Sequence, residues 1–174
     1  MTPYPWRRAA LWLAGVLAMA FLFAQVEIQI EGPHGWAASL PVTFRITDGW
    51  FIEHIWGGRP LTGYHFWALL FLLAVCHWPM LSEGRWSGRG QVRALAAFVL
   101  FWVAEDLLWF LLNPAFGWAG LRPGEPGEPG TAWWHRHWWF GLPRDYWVFG
   151  GLGLLAAWWS FREPRCVPPP SPSP

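Results

Sequence analysis

Four apolar stretches, each near the length that crosses a lipid bilayer, constrain this chain more than any other feature. They run from about Ala9 to Ile30, from Phe66 to Leu81, from Ala94 to Leu112 and from Tyr146 to Phe161. A hydrocarbon core of about 30 Å needs roughly 20 helical residues at 1.5 Å rise each. The second and fourth stretches are short, and Trp and Tyr at their ends extend them to headgroup level, where amphipathic rings settle. Composition agrees: 54% of the 174 residues are hydrophobic and 13% charged, against about 25% charged in an ordinary soluble domain. The 18 Trp are also too heavy an aromatic load for a disordered chain. The predicted fold class is all-α, a four-transmembrane-helix bundle with short interfacial helices in two long extracytoplasmic loops. Residues 1–165 make a single integral membrane domain, and the Pro/Ser-rich stretch 166–174 reads as a disordered tail.

The first stretch has a competing reading. Arg7 and Arg8 before an apolar run, with Ala18-Met19-Ala20 inside it, have the form of a cleavable signal peptide. A retained anchor is preferred, because the run continues through Phe21, Leu22 and Phe23. With the N-terminus in the cytoplasm, seven arginines lie inside (Arg7, Arg8, Arg85, Arg89, Arg93, Arg162, Arg165) and five outside (Arg45, Arg59, Arg122, Arg136, Arg144). The positive-inside rule favours that orientation. The expectation is a multi-pass protein of the cell inner (plasma) membrane with both termini cytoplasmic. The long segments Gly32–Tyr64 and Asn113–Asp145 then lie outside, with eleven of the 18 Trp at that end, and long loops in compact proteins tend to be functional.

Within those segments, Asp48 is placed to cap a short amphipathic helix with Phe51, Ile52, Ile55 and Trp56 on one side, ended by Gly57-Gly58. Gly124 to Gly130 repeats Gly-Glu-Pro and reads as a polar linker. Trp133 to Trp139 reads as a second interfacial segment. Small residues at Gly153 and Ala157, and at Ala10, Ala14 and Ala18, are candidates for close helix packing in lipid.

Several chemistries are excluded or weak. All 12 basic residues are Arg, which removes lysine Schiff-base and lysine-nucleophile mechanisms. A net charge of +1 argues against nucleic acid as a partner. Gly151-Leu152-Gly153 with Ala156 matches the form of a dinucleotide fingerprint, but no strand precedes it. Cys76 and Cys166 fall on the cytoplasmic side and suit neither a disulfide nor a metal knuckle. No serine sits in a GxSxG elbow.

The strongest chemical signal is Glu105-Asp106 inside the third stretch. Counted from Ala94, Glu105 lies roughly 17 Å along the helix, in the outer half of the bilayer. A carboxylate near the bilayer centre costs about 2.5 to 3.5 kcal/mol on insertion scales. The two acids point about 100° apart, so one faces the bundle and the other a neighbouring cavity. Glu27 and Glu31 share one face at the end of the first stretch, and His34 follows after a Gly-Pro break. His65 opens the second stretch on the outer side, and His77 closes it about 18 Å away. His135 and His137 alternate, so on a helix only one faces inward. Asp145 precedes the fourth stretch, placed either to cap it or to join the cluster.

Topology therefore brings Glu27, Glu31, His34, His65, Glu105, Asp106, His135 and Asp145 to the same outer third of the membrane. Carboxylates and neutral imidazoles there are the ingredients of a divalent-metal site for Zn, Mn or Fe, and equally of a proton-sharing acid and base pair. On the first reading Glu105 and Asp106 are catalytic, and the other six hold a metal that assists hydrolysis or oxidation of a lipid-like substrate. The alternative is a non-catalytic membrane protein that binds lipid or partner helices, its acids paired with Arg. The lipid bilayer is a partner on both readings, a lipid-like ligand on either, and an oligomer is compatible with both.

The segments Glu31-Gly32-Pro33-His34-Gly35-Trp36-Ala37, Leu61-Thr62-Gly63-Tyr64-His65, Glu105-Asp106-Leu107-Leu108-Trp109 with Asn113-Pro114, and Trp134-His135 resemble those of a family of small, uncharacterised prokaryotic integral membrane proteins. The resemblance covers most of the chain apart from the termini and the Gly-Glu-Pro linker. It implies membrane placement, and it implies no substrate, cofactor or catalytic residue.

Overall fold

Helix forms along each apolar run and begins a few residues before it. In the computed structural model, which describes residues 5–54, 56, 58–125, 128 and 130–162, the long helices are α1 (Pro5–Glu31), α3 (Gly63–Glu83), α4 (Gly88–Leu112) and α6 (Arg144–Phe161). Short elements fill the loops between them: β1 (Arg45–Ile46), α2 (Trp50–His54), β2 (Leu61–Thr62), α5 (Gly117–Gly120), β3 (Trp138–Trp139) and β4 (Leu142–Pro143). Ile55, Gly57, the linker residues Pro126, Gly127 and Pro129, then Arg165, Cys166 and the Pro/Ser tail, lie outside the described residues. α3 starts before Phe66 because the Thr62 side chain accepts from the His65 N–H. α4 starts before Ala94 because Ser87 does the same for Gly90. A serine or threonine oxygen at the N-cap satisfies a donor that the first turn leaves free.

By length and composition α1, α3 and α4 are able to cross a membrane. Their outward faces are apolar: Leu11 is 76% exposed, Leu22 63% and Phe71 67%. Such surface is stable against hydrocarbon and costly against water.

α4 is the hub on which α1, α3 and α6 each pack. α1 presents Val16, Ala20, Ala24 and Ile28, all buried, to this core. Ala10, Ala14 and Ala18 point the other way and are exposed, a correction to the small-residue face read from the sequence. The reason lies at the far end of the helix. Glu27 and Glu31 are each only 7% exposed, and the residues in register with them at helical spacing are Ala20 and Ala24. On α6 the small-residue face is where the sequence puts it. A Cβ at Gly153 would come within 2.8 Å of Leu100 Cγ on α4, and Ala157 is buried.

Two small antiparallel ribbons fold the long loops over one end of the bundle. Arg45 pairs with Thr62 and Ile46 with Leu61; Trp138 pairs with Pro143 and Trp139 with Leu142. Among the described residues the Trp-rich segment is therefore a turn followed by β3, not a helix. The turn at Phe140 and Gly141, both at positive φ, closes this ribbon. Trp134 and His135 turn into the core while Phe140 stays 92% exposed. α2 is a five-residue helix that buries Ile52. Asn113 closes the end of α4: its Nδ2 donates to Gly32 O at 3.0 Å, and its Oδ1 accepts from Ala115 N at 3.0 Å. The first bond ties the ends of α1 and α4 together, and the second shapes the turn that follows α4.

Candidate functional site

The two adjacent acids of α4 have different surroundings. Glu105 is 3% exposed and lines the same cavity as Glu27 of α1, and among the described residues its Oε1 has no hydrogen-bond partner. Tyr64 of α3 donates its hydroxyl to Glu27 Oε1 at 2.8 Å. One turn further along α1, Glu31 accepts from the backbone N–H of Ala37. That bond holds a loop with Gly35, Trp36 and Ala37 all at positive φ, a conformation that costs energy for residues other than glycine and clusters at functional sites. Gly35 admits no side chain there, since a Cβ would stand 2.9 Å from both Trp109 and Trp134.

Asp106 turns toward α6 and the second long loop. Its Oδ2 accepts from His135 at 2.9 Å and from the Tyr146 hydroxyl. Among the described residues no protein donor meets its Oδ1, and the side chain retains 25% exposure. His135 is nearly enclosed, with its Nδ1 3.9 Å from Asp145 Oδ2. Burial opposes charge on this imidazole, but Asp106 and then Asp145 outweigh it and raise His135 above the usual histidine value. Asp145 does not cap α6 through its side chain. It pairs with Arg59 at 3.3 Å. Burial pulls the Arg59 guanidinium below its ordinary value, with Asp145 and Asp106 opposing. Its Nε donates to Trp56 O, and its guanidinium lies 5.1 Å from the Trp36 ring centre. His65 stacks on Trp36 as well, ring centres 4.3 Å apart, with Nδ1 2.7 Å from Thr62 Oγ1.

These groups line one cavity of about 300 Å³. Of the eight residues singled out in the sequence, it gathers Glu27, Glu31, His65, Glu105, Asp106, His135 and Asp145. His34 is not among them and is exposed. Sequence reasoning did not single out Tyr64, Tyr146, Arg59 or Trp36. The signal for the two tyrosines was adjacency, since each neighbours a chosen residue, His65 or Asp145, in the first turn of a helix. Among the described residues Glu27 and Glu31 pair with no outer arginine; Arg59 goes to Asp145 and Arg122 to Glu128.

A metal would be drawn first to Glu27, Glu31 and Glu105, which among the described residues form no ion pair with an arginine. Among the described residues, however, no group of three or more His, Cys, Asp or Glu is arranged to hold a metal ion. Asp106 and His135, by contrast, are in direct contact, His135 Nε2 standing 2.9 Å from Asp106 Oδ2. Asp106 lines the cavity with one oxygen fixed by two donors and the other, among the described residues, without a protein donor, while His135 Nδ1 stands 3.9 Å from Asp145 Oδ2, beyond hydrogen-bonding distance.

Comparison with known proteins gives no match: no protein-family model, no curated protein and no solved structure matches the chain. The likeness to small prokaryotic membrane proteins rests on the quoted segments alone.

Proposed function

We propose that this chain is a multi-pass membrane enzyme that hydrolyses a lipid-like ester in the cavity at the loop end of its bundle, with Asp106 as the general base. In this reading α6 is the fourth span, both termini are cytoplasmic and the cavity faces the outside of the inner membrane. The observation that carries the reading is the Asp106 carboxylate: Oδ2 is fixed by His135 and Tyr146 while Oδ1 has no protein partner among the described residues. A base must reach the proton it takes and be held still while it does so. Oδ1 removes a proton from water, the hydroxide adds to the ester carbonyl carbon, and the carbon–oxygen bond to the alcohol breaks. The departing oxygen takes the proton back, leaving an acid and an alcohol. His135 and Tyr146 are positioning residues in this scheme, because both act through Asp106.

Glu105 separates this reading from its metal-assisted form. Three buried carboxyls that form no ion pair among the described residues, Glu27, Glu31 and Glu105, favour a divalent ion (Zn, Mn or Fe) as the second reading. The test is reconstitution of the purified chain in vesicles holding mono- and diacyl esters, followed by mass spectrometry of the lipids and elemental analysis of the protein. On the acid–base reading Asp106→Asn slows product formation by about 10²- to 10⁴-fold, and no stoichiometric metal is found. One equivalent of metal, lost in Glu105→Gln together with activity, replaces it with the metal reading. Intact lipids in the presence of wild type contradict both and leave a binding protein.

A further inference from the structure

The cavity is divided, and its division says what fits inside it. Its polar groups, among them Glu27, Asp106 and His135, lie at the loop end. Its other half runs down α4 past Val103, Trp102 and Val99 to Phe98, about 10 Å below Glu105 along the helix, and is closed by apolar side chains. The side walls are Ala68 and Leu69 of α3 and Phe149 of α6. α3 and α6 each pack on α4 and not substantially on each other, so a gap separates these walls. Phe149 marks the mouth: it lines the cavity and is also 48% exposed. On the membrane reading that exposure is to lipid, so the cavity opens sideways into the bilayer.

Volume limits the occupant to one chain. About 300 Å³ is at the small end of ligand cavities, which run from about 300 to 1,000 Å³. The polar end limits the head. Five carboxyls line it (Glu27, Glu31, Glu105, Asp106, Asp145) against one arginine, and that arginine, Arg59, is paired with Asp145, so the lining offers an anionic head no free guanidinium. The same end holds Asp106 Oδ1, which no protein donor meets among the described residues, in a side chain 25% exposed. A carboxylate oxygen only accepts, so the head that meets it must donate a proton. A carboxylate or trimethylammonium head has no such proton. A hydroxyl has one, and accepts bonds as well.

We infer that the cavity binds an amphiphile with one alkyl chain and an uncharged, hydroxyl-bearing head, which enters from the bilayer between α3 and α6. This deepens the proposed function and rests on it for the bond that is cut, but not for the binding itself. A monoacylglycerol has the required chemistry: one chain, two hydroxyls and an ester.

Photo-crosslinking tests it on the full chain in lipid nanodiscs, with a 1-monoacylglycerol carrying a diazirine in its acyl chain. Labelling is expected to saturate and to map to the cavity stretches of α3, α4 and α6. Unlabelled monoacylglycerol is expected to compete at least ten-fold better than the fatty acid or the alkyltrimethylammonium of equal chain length, and better than diacylglycerol. Ala68→Trp, which fills the gap, is expected to cut labelling about ten-fold, whereas Leu70→Trp, at a position 43% exposed on the same helix, leaves it unchanged. Glu27→Gln, which preserves shape, is expected to weaken competition by the hydroxyl head. Equal or better competition by the fatty acid or the ammonium overturns the head assignment, equal competition by diacylglycerol overturns the single chain, and full labelling of Ala68→Trp overturns the lateral route. Saturable labelling without any lipid turnover sustains this inference and sinks the enzymatic reading. Turnover of an ester without such labelling does the reverse.

Discussion

His135 Nε2 stands 2.9 Å from Asp106 Oδ2, although the two residues come from a loop and from the middle helix of the bundle. The contact carries the acid–base account, because it fixes one oxygen of Asp106 while the other meets no protein donor among the described residues. It also makes the His135 proton a reporter on the site. Asp106 and Asp145 raise His135 above its ordinary value while Arg59 lowers it. Replacing Arg59 with Gln is therefore expected to move the His135 titration further up, and replacing Asp145 with Asn to move it down. NMR of the ring nitrogens reads both shifts. Opposite signs contradict the charge arrangement.

The same pair makes stability depend on pH in a defined direction. A histidine raised in the folded state contributes stability that is fully present below its unfolded value, about 6.5, and is lost as pH rises through the folded value. The wild type is expected to lose more thermal stability across that window than His135→Asn does. Parallel curves for the two proteins are the contrary result. The comparison with the variant is needed because other groups titrate in the same range.

Close packing of α6 on α4 is tested by two glycines on one helix. Gly153→Val forces a side chain into Leu100, whose Cγ lies 2.8 Å from a Cβ built there. It is expected to cost about 1–3 kcal/mol, as overpacking does. Gly151 has nothing within 4 Å of a built Cβ, so Gly151→Ala is expected to be neutral or to gain up to about 1 kcal/mol of helix propensity. Unfolding in detergent distinguishes the two, and equal losses contradict the packing described.

Asn113 joins two helix ends. Asn113→Ala leaves Gly32 O and Ala115 N without partners, in a position 3% exposed. The expected loss is about 1–3 kcal/mol, with faster hydrogen exchange at the ends of α1 and α4. Exchange unchanged at both ends contradicts the tie.

Orientation is read by labelling single cysteines in a chain with Cys76→Ser and Cys166→Ser. Phe140→Cys, at a position 92% exposed, is expected to react with an impermeant maleimide from outside intact cells. Ser87→Cys is expected to react only after the membrane is opened. The reverse pattern inverts the proposed topology.

Much of this fold was legible in the sequence because its rules are one-dimensional there. Apolar runs predict α1, α3, α4 and α6 to within their caps, and the 100° between Glu105 and Asp106 follows from helix geometry alone. Rotation of α1 was less legible, since alanines lie on both of its sides, and only the acids at Glu27 and Glu31 tell which side turns inward. The Trp-rich segment misled because aromatic content signals burial without signalling conformation. Its ribbon depends on pairing with Leu142 and Pro143. Arg59 escaped because its partner Asp145 is far along the chain, and no local pattern links them.

Oxygen from water tests the account most directly. The reconstituted chain is supplied with a monoacylglycerol in ¹⁸O-water, and the released fatty acid is weighed by mass spectrometry at the earliest detectable product. The account predicts one ¹⁸O in the acid formed by wild type, and product formation slowed by about 10²- to 10⁴-fold in Asp106→Asn. Unlabelled acid, or the same labelled product at the same rate from Asp106→Asn, contradicts it.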